Sequence, residues 1–242
     1  MTATKADIIT KLKKEIFSLQ GYNSAVNYNA VGGEYPIGKT LFQRILQPGA
    51  VHEFIYNATG EAAVTTGFIT VVLDSLMQSG RASIWIGPKQ DIFPPALQSF
   101  GIMPDKIIFI QLQKEKEILW AMEEALKCDS LAAVIGEVPH LSFTASRRLQ
   151  LAVEQSKVTG FILRSNSDKV STTACVTRWK ISALPSELSG NMPGVGFPRW
   201  NVDLLKVKNG KTGSWQIEFR AGCFRHIYKE ASILPMQKKK TG

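Results

Sequence analysis

Cysteine and histidine are scarce in this chain, and their scarcity excludes several kinds of site. The 242 residues include three cysteines and three histidines. The cysteines stand far apart and form no C-x-x-C pair; they are Cys128, Cys175 and Cys223. An odd number of widely spaced thiols is typical of reduced cysteines in the cytosol and argues against a disulfide framework or a zinc site. The sequence therefore predicts a cytoplasmic protein with no metal ligands.

Long apolar runs and a signal sequence are also missing. No uninterrupted apolar run reaches the roughly 18 residues that favour a transmembrane helix. Residues 1–19 are charged and periodic and have no apolar core of the kind found in signal peptides. We therefore expect no membrane partner. Hydrophobic residues make up 44% of the chain, which is enough for one large domain with a normal core.

The balance of charge is strongly basic, with a net charge of +9. This permits nucleic-acid or acidic protein partners but specifies neither. In the second half of the chain, basic residues are interleaved with tryptophans, a combination that suits single-stranded DNA because rings stack on bases and cations meet phosphates. The candidate DNA-binding residues are Arg147, Arg148, Arg164, Lys169, Arg178, Lys180 and Arg199. The alternative is that the tryptophans belong to the core and the cations form a solvated face.

Apolar strands alternate with amphipathic helices over the middle of the chain. The predicted strands are 50–56, 82–86, 105–110, 131–135 and 158–163, and the predicted helices begin near Val64 and at residues 93, 115 and 142. This alternation is typical of a mostly parallel sheet with helices on both faces. After residue 164, the alternation of apolar and polar residues predicts strands with one solvent-exposed face at 173–181, 200–207 and 214–220. The pair Asn209-Gly210 is typical of a hairpin turn. We predict an α/β fold that ends in antiparallel strands.

The N-terminal segment predicts an amphipathic helix over residues 5–20. Its apolar seam is formed by Ile8, Leu12, Ile16 and Leu19. A narrow seam suits docking on a partner as well as packing on the chain's own domain. The domain organisation that we expect is a helix and linker over 1–28, an α/β domain over 29–230 and a basic tail over 231–242.

The predicted strand, loop and helix between residues 50 and 76 have the arrangement in which NTPases bind phosphate. In such sites the loop N–H groups and the helix N-terminus bind the anion, and a lysine neutralises its charge. Here the segment from Asn57 to Thr66 contains no Lys or Arg but does contain a carboxylate, Glu61. A carboxylate facing a triphosphate is repulsive, so we interpret this as a scaffold that has lost its nucleotide. The degenerate phosphate-loop positions are Asn57, Thr59, Gly60, Glu61, Thr65 and Thr66.

A match to the phosphate-loop pattern G-x-x-x-x-G-K-[ST] lies at residues 33–40, GEYPIGKT. The residues before it do not form a buried strand, and Pro48-Gly49 ends any helix that follows it within a few residues. A phosphate loop without its strand and helix cannot aim its amides at a phosphate. We favour an entry loop, and keep an ATP and magnesium site as the alternative. The residues of that site would be Gly33, Gly38, Lys39 and Thr40.

One polar pair follows an apolar strand at the end where α/β proteins place their sites. Glu137 and His140 come after the predicted strand 131–135, and a Glu-His pair there could do acid-base work. With no nucleophile beside them, we favour a polar pair in a loop.

Four segments of the sequence resemble the ImuA error-prone repair proteins of bacteria. They are MEEALKC at 122–128, SRRLQLAVEQS at 146–156, VTGFILR at 158–164 and GVGFPRW at 194–200. The resemblance extends over about residues 5–220. It implies likeness to the RecA/SulA group and association with ImuB, a polymerase-like adaptor. RecA, a DNA polymerase III α-type subunit and single-stranded DNA are further partners that it suggests, within SOS-type mutagenic translesion synthesis.

The implied RecA likeness can be compared with this sequence at the three positions that bind and hydrolyse ATP in RecA-like proteins. Residues 48–54 resemble the turn and strand before the phosphate loop of RecA, and the Walker lysine is then missing from Asn57–Thr66. Lys89 follows Gly87-Pro88 where a catalytic Glu would stand, and Gly136 occupies the position of the Walker B Asp. The resemblance therefore implies a RecA-like core with weak or absent ATP hydrolysis. Our hypothesis is a non-catalytic accessory protein, and the alternatives are a DNA-dependent ATPase using residues 33–40 or a single-stranded DNA-binding module.

Overall fold

A computed structural model describes residues 46, 48–165, 171–186, 196–208 and 210–227, together with residues 4, 5, 9, 11 and 12. Within these ranges the strands are β1 Val51–Tyr56, β2 Ala82–Gly87, β3 Ile107–Gln111, β4 Leu131–Glu137, β5 Thr159–Ser165, β6 Thr177–Leu184, β7 Arg199–Val207, β8 Gly213–Arg220 and β9 Cys223–His226. The α-helices are α1 Thr59–Met77, α2 Glu115–Leu126 and α3 Phe143–Ser156, and short 3-10 helices cover Pro94–Phe100 and Pro104–Lys106.

Some sequence-based predictions lie outside the described residues. They are the seam residues Ile8, Ile16 and Leu19, the candidate phosphate loop 33–40, Lys169 and the tail 231–242. Of the N-terminal segment, Ile9 and Leu12 are helical and have exposed fractions of 44% and 50%.

All nine strands join one sheet in the order β3-β2-β4-β5-β1-β6-β7-β8-β9. In this order, the strands β3, β2, β4, β5, β1 and β6 run parallel to one another. The strands β6, β7, β8 and β9 pair in antiparallel fashion. This confirms the predicted α/β class with a parallel core and antiparallel C-terminal strands. The short strand β9 was not predicted from the sequence. It is added after a tight turn at Ala221-Gly222, where both residues have positive φ angles.

Helices cover both faces of the parallel core. One face packs under α1, and its core includes the aromatic side chains Phe54, Phe68, Trp179, Trp200 and Phe224. The other face packs under α2 and α3 around aliphatic residues. By length and composition, α1 could cross a membrane. In this fold it is a core helix, because its side chains from Phe68 to Leu73 are buried.

The start of α1 differs from the prediction. The helix begins at Thr59 and not near Val64, so only Asn57 and Ala58 connect it to β1. The reason is local: Glu61, Ala62 and Ala63 have high helix propensity, and an acidic residue is favourable in the first turn of a helix. The predicted loop 57–63 is therefore wrong.

Candidate functional site

The N-terminus of α1 lies at the carboxyl end of β1, in the position where parallel α/β sheets bind ligands. Oε2 of Glu61 accepts a hydrogen bond from the backbone N–H of Asn57 at 2.9 Å. Nζ of Lys180 on β6 lies 3.4 Å from Oε1 of the same carboxylate. The Asn57 amide, followed by the Lys180 charge, holds the pKa of Glu61 below its usual range. The chain's own carboxylate thus uses an amide and a cation that a bound anion would need.

The other predicted phosphate-loop positions belong to the helix. Thr59 and Gly60 are exposed in its first turn, and the N–H of Ala62 already donates to the carbonyl of Ala58. Thr65 is fully buried, and the carbonyl of Thr66 accepts the hydroxyl of Thr70 at 2.8 Å. The predicted loop residues from Thr59 to Thr66 therefore form the first two turns of α1 and not a separate loop.

Gly136, the position that corresponds to the Walker B Asp, does not face the start of α1. A Cβ atom at Gly136 would lie 2.6 Å from Sδ of Met122 on α2, so position 136 faces away from α1. The carboxylate at the end of β4 that lies on the same side of the sheet as α1 belongs to Glu137. It accepts a hydrogen bond from the indole Nε1 of Trp85 at 2.6 Å and lies over Gly87.

Burial raises the pKa of Glu137, with the Trp85 indole opposing the shift and Asp91 adding to it. Burial and the nearby Glu137 and Asp91 charges likewise raise the pKa of Tyr56 at the end of β1. Mg²⁺ binds ionised oxygens, and burial disfavours the ionised form of Glu137. Among the described residues, no cluster of three or more His, Cys, Asp or Glu side chains could hold a metal ion.

In the described part of the chain, no hydrogen bond or ion pair joins Glu137 and His140. His140 is exposed, whereas Glu137 is bonded to Trp85. This arrangement fits the loop interpretation of His140 and gives Glu137 a packing partner within the sheet.

Arg164 and Arg178 have to be removed from the candidate DNA-binding set. Both side chains are buried, with exposed fractions of 4% and 9%, and both bind the fully buried carboxylate of Glu53 on β1. Arg178 Nε donates to Glu53 Oε2 at 2.7 Å, and the Thr173 hydroxyl donates to the same oxygen at 2.9 Å. A charged residue inside an apolar strand, such as Glu53, is the sequence signal that could have indicated buried arginine partners.

The remaining described cations lie on β6, β7 and α3, and Trp215 is the one partly exposed tryptophan of the three in the second half of the chain. Trp179 and Trp200 are core residues, so they cannot stack on bases. Arg199 is paired with Glu218 at 2.8 Å within the sheet, and Lys180 is paired with Glu61. Arg147 and Arg148 lie apart from them on α3, where their side chains are 50% and 62% exposed.

A groove between α2 and α3 was not predicted from the sequence. It has a volume of about 340 Å³ and is lined by Lys116, Leu119, Trp120, Glu123, Ala145, Arg148 and Leu149. Trp120 is 63% exposed. The sequence signal was present, because Trp120 stands off the apolar face that Ile118, Met122 and Leu126 present to the sheet.

Comparison with known proteins places the chain in a family. Protein ImuA of Caulobacter vibrioides is 31% identical over 183 residues, which cover 71% of this chain and 75% of that protein. The chain belongs to the ImuA family. A family model for the cell division inhibitor SulA also matches residues 49–160, from the turn before β1 into β5.

SulA proteins match a shorter part of the chain. The cell division inhibitor SulA of Yersinia pestis is 28% identical over 130 residues, which cover 53% of this chain and 76% of that protein. Among solved structures, SulA from Pseudomonas aeruginosa has 21% sequence identity and a TM-score of 0.42, and it aligns with 49% of this chain and with 100% of its own.

Proposed function

We propose that this protein is a non-catalytic, RecA-like accessory protein of SOS-type mutagenic translesion DNA synthesis that acts by contact with an ImuB-like polymerase adaptor. Membership of the ImuA family supports the DNA-damage role. The observation that carries the non-catalytic part is the hydrogen bond between Glu61 and the amide of Asn57. A RecA-type nucleotide would need that helix N-terminus for its phosphates, and it would meet a carboxylate there.

Nucleotide binding is the first test. The full-length protein is titrated with a fluorescent ATP analogue and magnesium, in parallel with Lys39→Ala and Glu61→Gln. We expect no saturable binding by the wild type. Saturable binding that Lys39→Ala abolishes would mean that residues 33–40 form a working phosphate loop, and the non-catalytic proposal would fail.

Partner binding is the second test. The purified protein is mixed with the ImuB-like protein of the same genome and analysed by size-exclusion chromatography with and without ATP. We expect a stable complex that does not depend on ATP. In cells, deletion should abolish damage-induced mutagenesis, and both wild type and Lys39→Ala should restore it. Absence of a complex together with normal induced mutagenesis in the deletion strain would contradict the proposal.

A second candidate function follows from the SulA relatives, whose name describes inhibition of cell division. The family model match over residues 49–160 favours it, since that range holds α1, α2 and α3. Overexpression in dividing cells separates the candidates: filamentous growth in the absence of DNA damage supports division inhibition, whereas normal septation supports the adaptor role.

A further inference from the structure

We propose that the groove between α2 and α3 binds an acidic amphipathic helix of a partner protein, with Trp120 as the central anchor. This inference rests on the proposed adaptor function and assigns the surface through which it acts. The shape of the groove, its exposed charges and the position of the tryptophan each support it.

The groove has the form of a helix-docking site. Leu149, only 1% exposed, and the half-buried Leu119 and Ala145 provide its apolar lining, and Trp120 on α2 stands beside them largely in solvent. A cleft of this kind between two packed helices accepts the apolar face of a third helix. Tryptophan is the residue type most enriched among the anchors that dominate binding energy.

The accessible charge of the groove is positive. Lys116 is exposed, and the Arg148 side chain is 62% exposed. The carboxylate of Glu123 is only 16% exposed and is already paired with Arg148 at 2.7 Å and with Lys127 at 3.7 Å. An acidic helix complements this rim. The chain's own N-terminal segment fits less well, because residues 5–15 contain four lysines against one Asp and one Glu.

Single-stranded DNA suits the groove less well than a peptide does. Among the described residues, Trp120 is the only aromatic side chain in the lining, whereas sequence-tolerant DNA binding uses several rings along a track. The apolar side chains of a helix can fill the cleft beside Trp120, which is how a helix docks in a groove.

The direct test uses two synthetic fluorescein-labelled peptides and fluorescence polarisation. Both peptides have leucines at i, i+3, i+4 and i+7, with Glu at the remaining positions in one and Lys in the other. We expect the full-length protein to bind the Glu peptide at least about tenfold more tightly than the Lys peptide. Trp120→Ala should weaken binding about tenfold or more. The control Phe93→Ala, which removes another exposed aromatic ring from the 3-10 segment, should stay within about twofold of wild type.

The role of the positive charge in the groove is tested with two neighbouring arginines of α3. Arg148→Glu should reduce or reverse the preference for the Glu peptide, whereas Arg147→Glu, an equal change of charge beside the groove, should have a much smaller effect. Thermal melting of each variant verifies the fold. Failure of both peptides to bind, or equal effects of the two arginine variants, overturns the inference. Binding of an oligo-dT probe that Trp120→Ala abolishes overturns it in favour of nucleic acid.

The complex with the purified ImuB-like protein distinguishes the two proposals. Loss of the complex in Trp120→Ala but not in Phe93→Ala supports the groove. A complex that survives both Trp120→Ala and Arg148→Glu overturns the groove and leaves the adaptor function intact. If the wild type forms no complex, the proposed adaptor function is wrong. The peptide titrations then decide alone whether the groove binds an acidic helix.

Discussion

Glu61 and Asn57 are joined by a hydrogen bond of 2.9 Å, from the Asn57 backbone N–H to the Glu61 carboxylate, at the point where β1 turns into α1. The bond places a negative charge at the positive end of the helix dipole. The Glu61 side chain also satisfies a backbone amide in the two-residue connection between β1 and α1. Lys180 on β6 then links this turn to the neighbouring strand.

Replacing Glu61 by Gln should lower stability by about 1 kcal/mol or less, the range of a partly exposed helix-capping interaction. Since the folded state lowers the pKa of Glu61 from its ordinary value of 4.5, its contribution is present above that value and is lost as the pH falls through the lower folded pKa. Urea unfolding at pH 7 and pH 3 measures this. A difference between wild type and Glu61→Gln that is as large at pH 3 as at pH 7 would contradict it.

Substitution of Glu53 should lower the free energy of unfolding far more than substitution of an exposed carboxylate. Glu53→Gln leaves Arg164 and Arg178 buried without their counter-charge, and breaking a buried ion pair in this way costs about 3–5 kcal/mol. The control is Glu117→Gln, which removes an exposed partner of Lys114 and should cost less than about 0.5 kcal/mol. Urea unfolding at neutral pH compares the two. A loss for Glu53→Gln no larger than for the control would show that the buried network is not required.

Glu137 should show the opposite pH dependence to Glu61. The folded state raises its pKa from the ordinary value of 4.5, so its stabilising contribution is full below that value and is lost as the pH rises through the folded pKa. Glu137→Gln retains an acceptor for Trp85 without the charge. We expect its stability relative to wild type to increase between pH 4 and pH 8. Glu154→Gln, which removes an exposed carboxylate on α3, is the control and should show no such rise.

The cysteines should react with a thiol reagent at very different rates. Cys128 is exposed, whereas Cys175 is buried, and burial followed by the charge of Glu53 raises the pKa of Cys175 to about 12. At pH 8 the Cys175 thiol should react more than roughly a thousandfold more slowly than Cys128, because the thiolate fraction falls tenfold per pKa unit. Cys128→Ser should remove the fast phase, and unfolding in urea should expose Cys175. Rapid labelling of Cys175 in the native protein would contradict the burial.

Much of the fold could be read from the sequence because its signals are local. The apolar strands and the helices that begin at residues 115 and 142 lie close to their predicted positions, since periodicity and end signals such as Ser142 depend on nearby residues. Ser142 caps α3 by accepting the N–H of Ala145 at 3.1 Å. The missing phosphate-binding lysine was likewise visible in the chain between Asn57 and Thr66.

The sequence by itself determined the α/β class, the change from parallel to antiparallel strands and the lack of a basic residue at the start of α1, because each depends on residue type and spacing. Only the tertiary structure decided where the charges lie. Arg164 and Arg178 read as surface cations, but they meet Glu53 across neighbouring strands inside the sheet. Trp120 stands off the apolar face of its helix in the sequence, but only the packing of α2 against α3 places it in solvent beside a groove. Burial and ion pairing join residues that are distant in sequence, and only the packed sheet brings such residues together.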